Sequence, residues 1–446
     1  MFWTATTIFL VAYALIISEK IHKTKVALFG AALMLITKVL LQREAFNDMD
    51  LGVDWNVIFL LISMMIIINI MTKTGVFQYV AIKCAKVAKG EPFRVMILFA
   101  IITGVGSAFL DNVTTVLLLV PVTLLIAEQL EINPIPYLIT EALASNIGGT
   151  ATLIGDPPNI MIASKAGLSF MDFIYHLTPA IIIIFLFWML AWKVIFGKRL
   201  HVRDELKRRV MSLQEKEQIT DPVLLKKSLF VLSLTILGFM LHGVFHYEPA
   251  TVALMGATTL LFISGEDPQS ILAEVEWPTI FFFIGLFIII GGIVKVGLVE
   301  DMSRAMIAVT NPQPDNMTML AMVMLWFSAI CSAIVDNIPF VATMNPLLID
   351  MIHKIYGLES GTATVEHIQH LSMMPVWWSL ALGACLGGNG SPIGASANVI
   401  VVGLSEKAGY KITFVQFMKY GVPVMLMTVF MAMIYVYVRY YMLKWY

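Results

Sequence analysis

Two short acid-amide strings, Asp111-Asn112 with Thr114 and Thr115 just beyond, and Asp336-Asn337, interrupt long apolar runs. A carboxylate at the midplane of a bilayer costs about 2.5–3.5 kcal/mol on insertion scales, so an intramembrane acid reads first as an ion or proton site. The plainer alternative is a helix cap, because Asp ahead of an apolar run is a good N-cap. Downstream of each string lies a Gly-rich break. The first holds Ser145, Asn146, Gly148, Gly149, Thr150 and Thr152 and leads to Asp156, Pro157, Pro158 and Asn159. The second holds Gly388, Asn389 and Ser391 and leads to Asn398. Such breaks offer carbonyls, hydroxyls and helix ends, the oxygen ligands of a hard monovalent cation. Helix N-termini there would equally suit an anion, and the small residues would equally suit close helix packing.

Asp156 stands where the second break has Ala395, whereas Asn159 and Asn398 correspond. An acid present in one half only is a natural seat for proton or substrate specificity, and a turn ahead of Pro157-Pro158 is its structural alternative. No Lys or Arg occurs from Val95 to Ser164 or from Ala305 to His353, although acids occur in both stretches. A pocket for a multiply charged anion is expected to contain a guanidinium or ammonium group. These core stretches therefore favour cations, protons or a neutral solute.

Lipid is the solvent of the elements that position these residues. Of 446 residues, 59% are hydrophobic and 13% charged, with a net charge of -1, against about 25% charged in ordinary soluble domains. The near-neutral balance gives no reason to expect a nucleic-acid partner. The three cysteines form no metal clip and no phosphate-binding loop is present, so neither redox chemistry nor direct use of ATP is indicated. No nucleophile-base pair stands out, and the protein is not expected to be an enzyme or to carry a cofactor. The apolar runs are too long for barrel strands, which predicts an all-α polytopic membrane protein with no secretory signal to be removed.

One strongly polar stretch, residues 198–228, divides the apolar runs into two sets of six. The halves resemble one another in order. Val26 and the string after it match Val252, Trp55 matches Trp277, Asp111 matches Asp336, Gly148 matches Gly387 and Pro179 matches Pro423, at nearly constant offset. Residues 1–197 and 229–446 thus read as a duplicated unit around a linker. The linker carries Lys198, Arg199, Arg203, Lys207, Arg208 and Arg209 among its basic residues and is assigned to the cytoplasm, on the same side as Lys20, Lys23 and Lys25 and as Lys83, Lys86, Lys89 and Arg94. The acidic loop near Glu44 and Asp54 is assigned outside, and both termini with it. Each half must then cross an odd number of times. Its fourth run, broken by the acid-amide string, is the best candidate for a hairpin that enters and returns. The expectation is about ten spans plus two re-entrant hairpins in two inverted repeats, an architecture that places a transport site at the midplane. Lys73 and Lys295, at equivalent span ends, are expected to snorkel to the interface.

The strings SAFLDNVTTVLLLVPVT, SNIGGTATLIGDPPNIMIAS, DNIPFVATMNPLL and GGNGSPIGASANVIVVGLSEKAGY resemble the ion transporter superfamily. They are most similar to the branch of the melanosomal P protein and the arsenite-pump and sodium–proton-antiporter group, with its citrate transporter-like domain. The resemblance spans residues 25–425. It implies secondary active transport by a homodimer whose transport elements move like an elevator. It also implies an ion site at Asn112, Thr114, Ser145, Asn146, Gly148 and Thr150 with Asn337, Asn389, Ser391 and Asn398, where Na⁺ would lie against Asn112, Ser145, Asn146, Asn337 and Asn389. Carboxylate carriers of this superfamily use Ser-Asn-Thr signatures, whereas these hairpins present Asp-Asn. The expected activity is Na⁺/H⁺ antiport in the cytoplasmic membrane of a prokaryote, with Na⁺ and H⁺ as coupling ions. Arsenite or organic-anion transport is the alternative, and a passive channel stands behind it.

Overall fold

A computed structural model describes residues 1–18, 20–197, 200, 202–359 and 363–446. Lys198 and Arg199, two of the basic residues assigned to the linker, lie outside the described residues. The described chain is helical and contains no named strand; its one isolated bridge joins Gln313 and Asn316. In the first half the main helices are α1 (Phe2–Ser18), α2 (Lys23–Ile36), α3 (Trp55–Thr72), α4 (Val76–Val87), α5 (Pro92–Phe109), α6 (Asn112–Gln129), α7 (Ile135–Gly149), α8 (Pro157–Ala166) and α9 (Thr178–Phe196). In the second they are α10 (Pro222–Phe245), α11 (Pro249–Ser264), α12 (Trp277–Lys295), α13 (Leu298–Thr310), α14 (Thr318–Ile334), α15 (Asn337–Tyr356), α16 (Met374–Gly387), α17 (Ser396–Lys407) and α18 (Phe414–Val436). Short helices and loops connect them.

Local chemistry sets the boundaries. Asp54 starts α3 by accepting from the backbone N–H groups of Asn56 and Val57. Gly75 and Gly297, both left-handed at φ 74° and 85°, turn the chain into the amphipathic helices α4 and α13. Pro157 opens α8, where the absent N–H costs nothing. Seven described helices are long and apolar enough to cross a membrane, with α1, α11 and α14 as shorter apolar helices. The seven include α5 and α6, the two legs of the expected first re-entrant hairpin.

The halves pack alike and into one another. α5 lies along α7 as α14 lies along α16, while α2 packs on α12 of the other half and α3 on α11. Two ion pairs repeat that exchange: Lys73 reaches Glu266 at 2.8 Å, and Lys295 reaches Glu44 at 2.6 Å. Each lysine at a span end therefore meets a carboxylate of the other half, a more specific role than snorkelling. The linker packs on the first half through Lys86–Glu215 at 2.6 Å, Lys207–Glu91 at 2.8 Å and Arg209–Glu131 at 2.9 Å.

Candidate functional site

Each hairpin tip is bolted to the neighbouring break by the same set of bonds. In the first half the Ser107 hydroxyl donates to the Ser145 carbonyl at 2.7 Å, and Thr152 donates to the Ala108 carbonyl. In the second, Ser332 donates to the Ala384 carbonyl and Ser391 to the Ala333 carbonyl, each at 2.6 Å. Asn159 and Asn398 then gather the carbonyls of their own breaks: Asn159 Nδ2 reaches Thr152 O at 2.8 Å, and Asn398 Nδ2 reaches Gly388 O at 2.8 Å and Ser391 O at 2.9 Å. Non-helical backbone at membrane depth survives only where such partners satisfy it.

Close approach explains the glycines. A Cβ on Gly148 would lie 2.1 Å from the Gly104 carbonyl oxygen, and one on Gly387 would lie 2.5 Å from Ala329 Cα. A Cβ on Gly149 would lie 2.4 Å from the Gly155 carbonyl oxygen and one on Gly388 2.9 Å from that of Gly394, each across its own break. At these four positions close packing alone already requires glycine.

The remaining polar groups converge. Asn146 donates through Nδ2 to Asn389 Oδ1 at 3.0 Å and to Asn398 Oδ1 at 2.9 Å, and its own Oδ1 accepts from Asn112 at 3.2 Å. Asn337 Nδ2 lies 3.3 and 3.4 Å from the two Asp156 oxygens. Asn112, Asn146, Asp156, Asn337, Asn389 and Asn398 are all buried. Asn112 Oδ1 and Asn389 Nδ2 have no hydrogen-bond partner. A buried orphan polar atom costs about 1–3 kcal/mol, so this pair marks where a ligand or water would repay binding.

Both tip aspartates do cap helices. Asp111 accepts from the Thr114 N–H at 2.8 Å and from the Thr114 hydroxyl at 2.5 Å, and Asp336 accepts from the Ile338 N–H at 3.1 Å. Thr115 and Thr150 donate to the backbone carbonyls of Asp111 and Asn146, and Ser145 to that of Ala142. These hydroxyls keep only lone pairs for any further ligand.

A cavity of about 510 Å³ opens beside this cluster, lined by Asp111, Asn112, Asp156, Asp336 and Asn337 together with Lys23, Glu276 and Ser396. The N-termini of α6, α8, α15 and α17 all reach it. Asp111, Asp156 and Asp336 occupy three of these ends and oppose the positive pole of the helix dipole. Ala395 leaves α17 without a side-chain cap.

Three lining residues were not legible as site residues. Lys23 sits at the start of α2, remote in sequence from both tips, yet its ammonium lies 2.6 Å from Asp336 Oδ2 and 2.8 Å from Ser396 Oγ. Glu276 precedes Trp277 at the corresponding place to Asp54, and that correspondence was its available signal. Ser396 follows Ala395 in the second break. Glu141, buried on α7, accepts from the Thr123 hydroxyl while its second oxygen has no partner, and it is not among the cavity-lining residues.

A family model described as the CitMHS citrate transporter matches residues 13–383. The chain belongs to that family. An uncharacterized transporter of Mycobacterium tuberculosis is 45% identical to this family member over 98% of this chain and 99% of its own length. The P protein of Homo sapiens is 33% identical over 99% of this chain, which spans 60% of that longer protein. Among solved structures the YdaH transporter of Alcanivorax borkumensis has the same fold, with a TM-score of 0.50 at 13% identity over 87% of this chain and 85% of that one. This citrate transporter family member is therefore an integral membrane transporter of a small solute.

Proposed function

We propose that the protein is a secondary active Na⁺/H⁺ antiporter of the cytoplasmic membrane, acting as a homodimer with an elevator-type movement of the two hairpins and breaks. The observation that carries this reading is the cavity wall, where Asp111, Asp156, Glu276 and Asp336 face a single ammonium, Lys23. Asn337, the neighbour of Asp336, reaches Asp156 at 3.3 Å, which brings the second tip to the first break. A site rich in carboxylates attracts a monovalent cation and also attracts protons, so both ions compete for the same oxygens. If the empty site cannot cross, that competition suffices for antiport.

The cavity is bounded by Ile21 and His22 in the α1–α2 connection, on the side assigned to the cytoplasm. On the other side Ser164 of α8 donates to Asp54 at 2.6 Å, and Lys165 meets Asp50 at 2.8 Å. This pattern supports an inward-facing arrangement with the external side closed. The two inverted repeats and the midplane position of the site form part of the same proposal.

One observation favours a second reading. Lys23, Ser396 and the uncapped start of α17 together make one cationic corner, which suits arsenite or an organic anion. Proteoliposomes decide between the two. An imposed Na⁺ gradient should drive protons in the opposite direction in the absence of any organic solute. Proton movement that needs arsenite or a carboxylate, and is absent with Na⁺ or Li⁺, transfers the assignment to the anion reading. Flux indifferent to any counter-gradient indicates a channel.

A further inference from the structure

Lys23 comes from a different part of the fold than the two groups it bonds. Asp336 belongs to a hairpin tip and Ser396 to the helix after a break, whereas Lys23 belongs to α2, which packs on α12 rather than on either tip. Its ammonium makes a bond of 2.6 Å to Asp336 Oδ2 and one of 2.8 Å to Ser396 Oγ, and Ser396 itself donates to the same Oδ2 at 3.0 Å. The Phe282 ring of α12 lies beneath the ammonium, 4.9 Å from centroid to nitrogen. The Asp336 side chain is 9% exposed and that of Lys23 29%, so the carboxylate is nearly sealed while the ammonium touches the cavity. The other titratable groups at the cavity are Glu276 of α12, Asp111 and Asp156 of the first half, and His22 beside Lys23.

We infer that the Lys23 ammonium is a tethered cation that fills the binding position at Asp336 and Ser396 when no transported cation is bound, locking the second hairpin tip to α2. Two oxygens around one positive charge, with an aromatic face behind it, make a site that a small monovalent cation can also use. A cation or proton arriving at Asp336 removes the reason for Lys23 to stay, because the carboxylate cannot keep its full attraction for two positive partners. Release of Lys23 then breaks the polar tie between α2 and the tip. An empty carrier stays locked and a loaded carrier is free to move, which is the condition that prevents a futile empty return. This inference rests on the antiport reading for the identity of the ion, but the lock itself requires only that some cation compete with Lys23.

The test uses the purified full-length protein and the acylation of lysine by an amine-reactive acetylating reagent, read residue by residue by mass spectrometry. NaCl is titrated against choline chloride at fixed pH and ionic strength, with exposed Lys25 as the internal reference. Acetylation of Lys23 should rise several-fold with Na⁺ while that of Lys25 stays constant. In transport, Lys23→Gln should raise the apparent Na⁺ affinity by roughly an order of magnitude, since it leaves a buried carboxylate without its partner, and should lower the number of protons moved per Na⁺. Lys23 labelling that is the same in Na⁺, Li⁺ and choline, in protein that exchanges Na⁺ for H⁺, overturns the lock and leaves antiport standing. Labelling that rises with Na⁺, in protein whose Na⁺ gradient moves no protons, retains the lock and overturns antiport.

Discussion

Asn146 and Asn389, 243 positions apart in the chain, meet side chain to side chain at 3.0 Å, joining the first break to the second. Asn146 also donates to Asn398 and accepts from Asn112, so one amide ties three elements together. Neither half can form this junction alone.

Replacing that amide should therefore cost more than one bond. Asn146→Ala removes the donor to Asn389 and Asn398 and the acceptor of Asn112, and each buried group left unpaired costs about 1–3 kcal/mol. The expected outcome is a lowered thermal midpoint in detergent and transport reduced by at least roughly tenfold, a loss of about 1.4 kcal/mol in the rate-limiting step. Wild-type flux in this variant would remove the junction from the site.

The glycines allow a contrast within a single type of substitution. Gly148→Ala drives a methyl group into the Gly104 backbone and should destabilise the protein by about 1–3 kcal/mol. Gly403→Ala, inside α17, has nothing within 4 Å of the new Cβ and should leave the thermal midpoint unchanged or raise it, since Ala is favoured over Gly in a helix by about 0.5–1 kcal/mol. Equal midpoints for the two variants would contradict the packing described at the tip of the first hairpin.

Capping and ion binding by the tip acids can be separated. Asp111→Asn and Asp336→Asn keep much of the capping geometry but cannot carry a charge. Both variants should remain folded, shown by an unchanged elution profile, while coupled Na⁺/H⁺ flux is abolished or strongly impaired. Near-normal coupled flux in both would leave capping as the sufficient role of these aspartates.

Much of this architecture was readable in the residues. The two acid-amide strings lie at the turns from α5 to α6 and from α14 to α15, and the two Gly-rich breaks lie between α7 and α8 and between α16 and α17. Correspondence between the halves, visible at Trp55 and Trp277 or Asp111 and Asp336, reappears as equivalent packing of α5 on α7 and α14 on α16. Lys23 was different. The absence of Lys and Arg near the acids is a local property of two stretches, whereas the cavity is assembled from helices more than 300 positions apart. Periodicity and spacing carry no information about which distant helix end is brought to Asp336. The same limit hid the partners of Lys73 and Lys295, which come from the opposite half.

The sidedness proposed from the basic loops can be read with impermeant labels. In a background lacking Cys84, Cys331 and Cys385, a membrane-impermeant maleimide added to intact cells should miss Ser212→Cys in the linker and modify Lys444→Cys near the C-terminus. Modification of the linker cysteine would overturn the inverted-repeat proposal.

The proposed closure on the external side makes a further demand. Asp54→Cys with Ser164→Cys, placed where the native side chains are bonded at 2.6 Å, should form a mercury bridge that stops transport and releases it on adding excess thiol. Full transport through the bridged protein would exclude relative movement of α8 and α3.

The pH dependence of the apparent Na⁺ affinity in reconstituted protein tests competition between Na⁺ and H⁺ at the four carboxylates most directly. Acid protonates the carboxylates and alkali frees them, so affinity for Na⁺ should rise steadily as pH rises while the maximal exchange rate at saturating Na⁺ changes far less. An apparent Na⁺ affinity independent of pH, or proton movement indifferent to the Na⁺ gradient, would contradict the account.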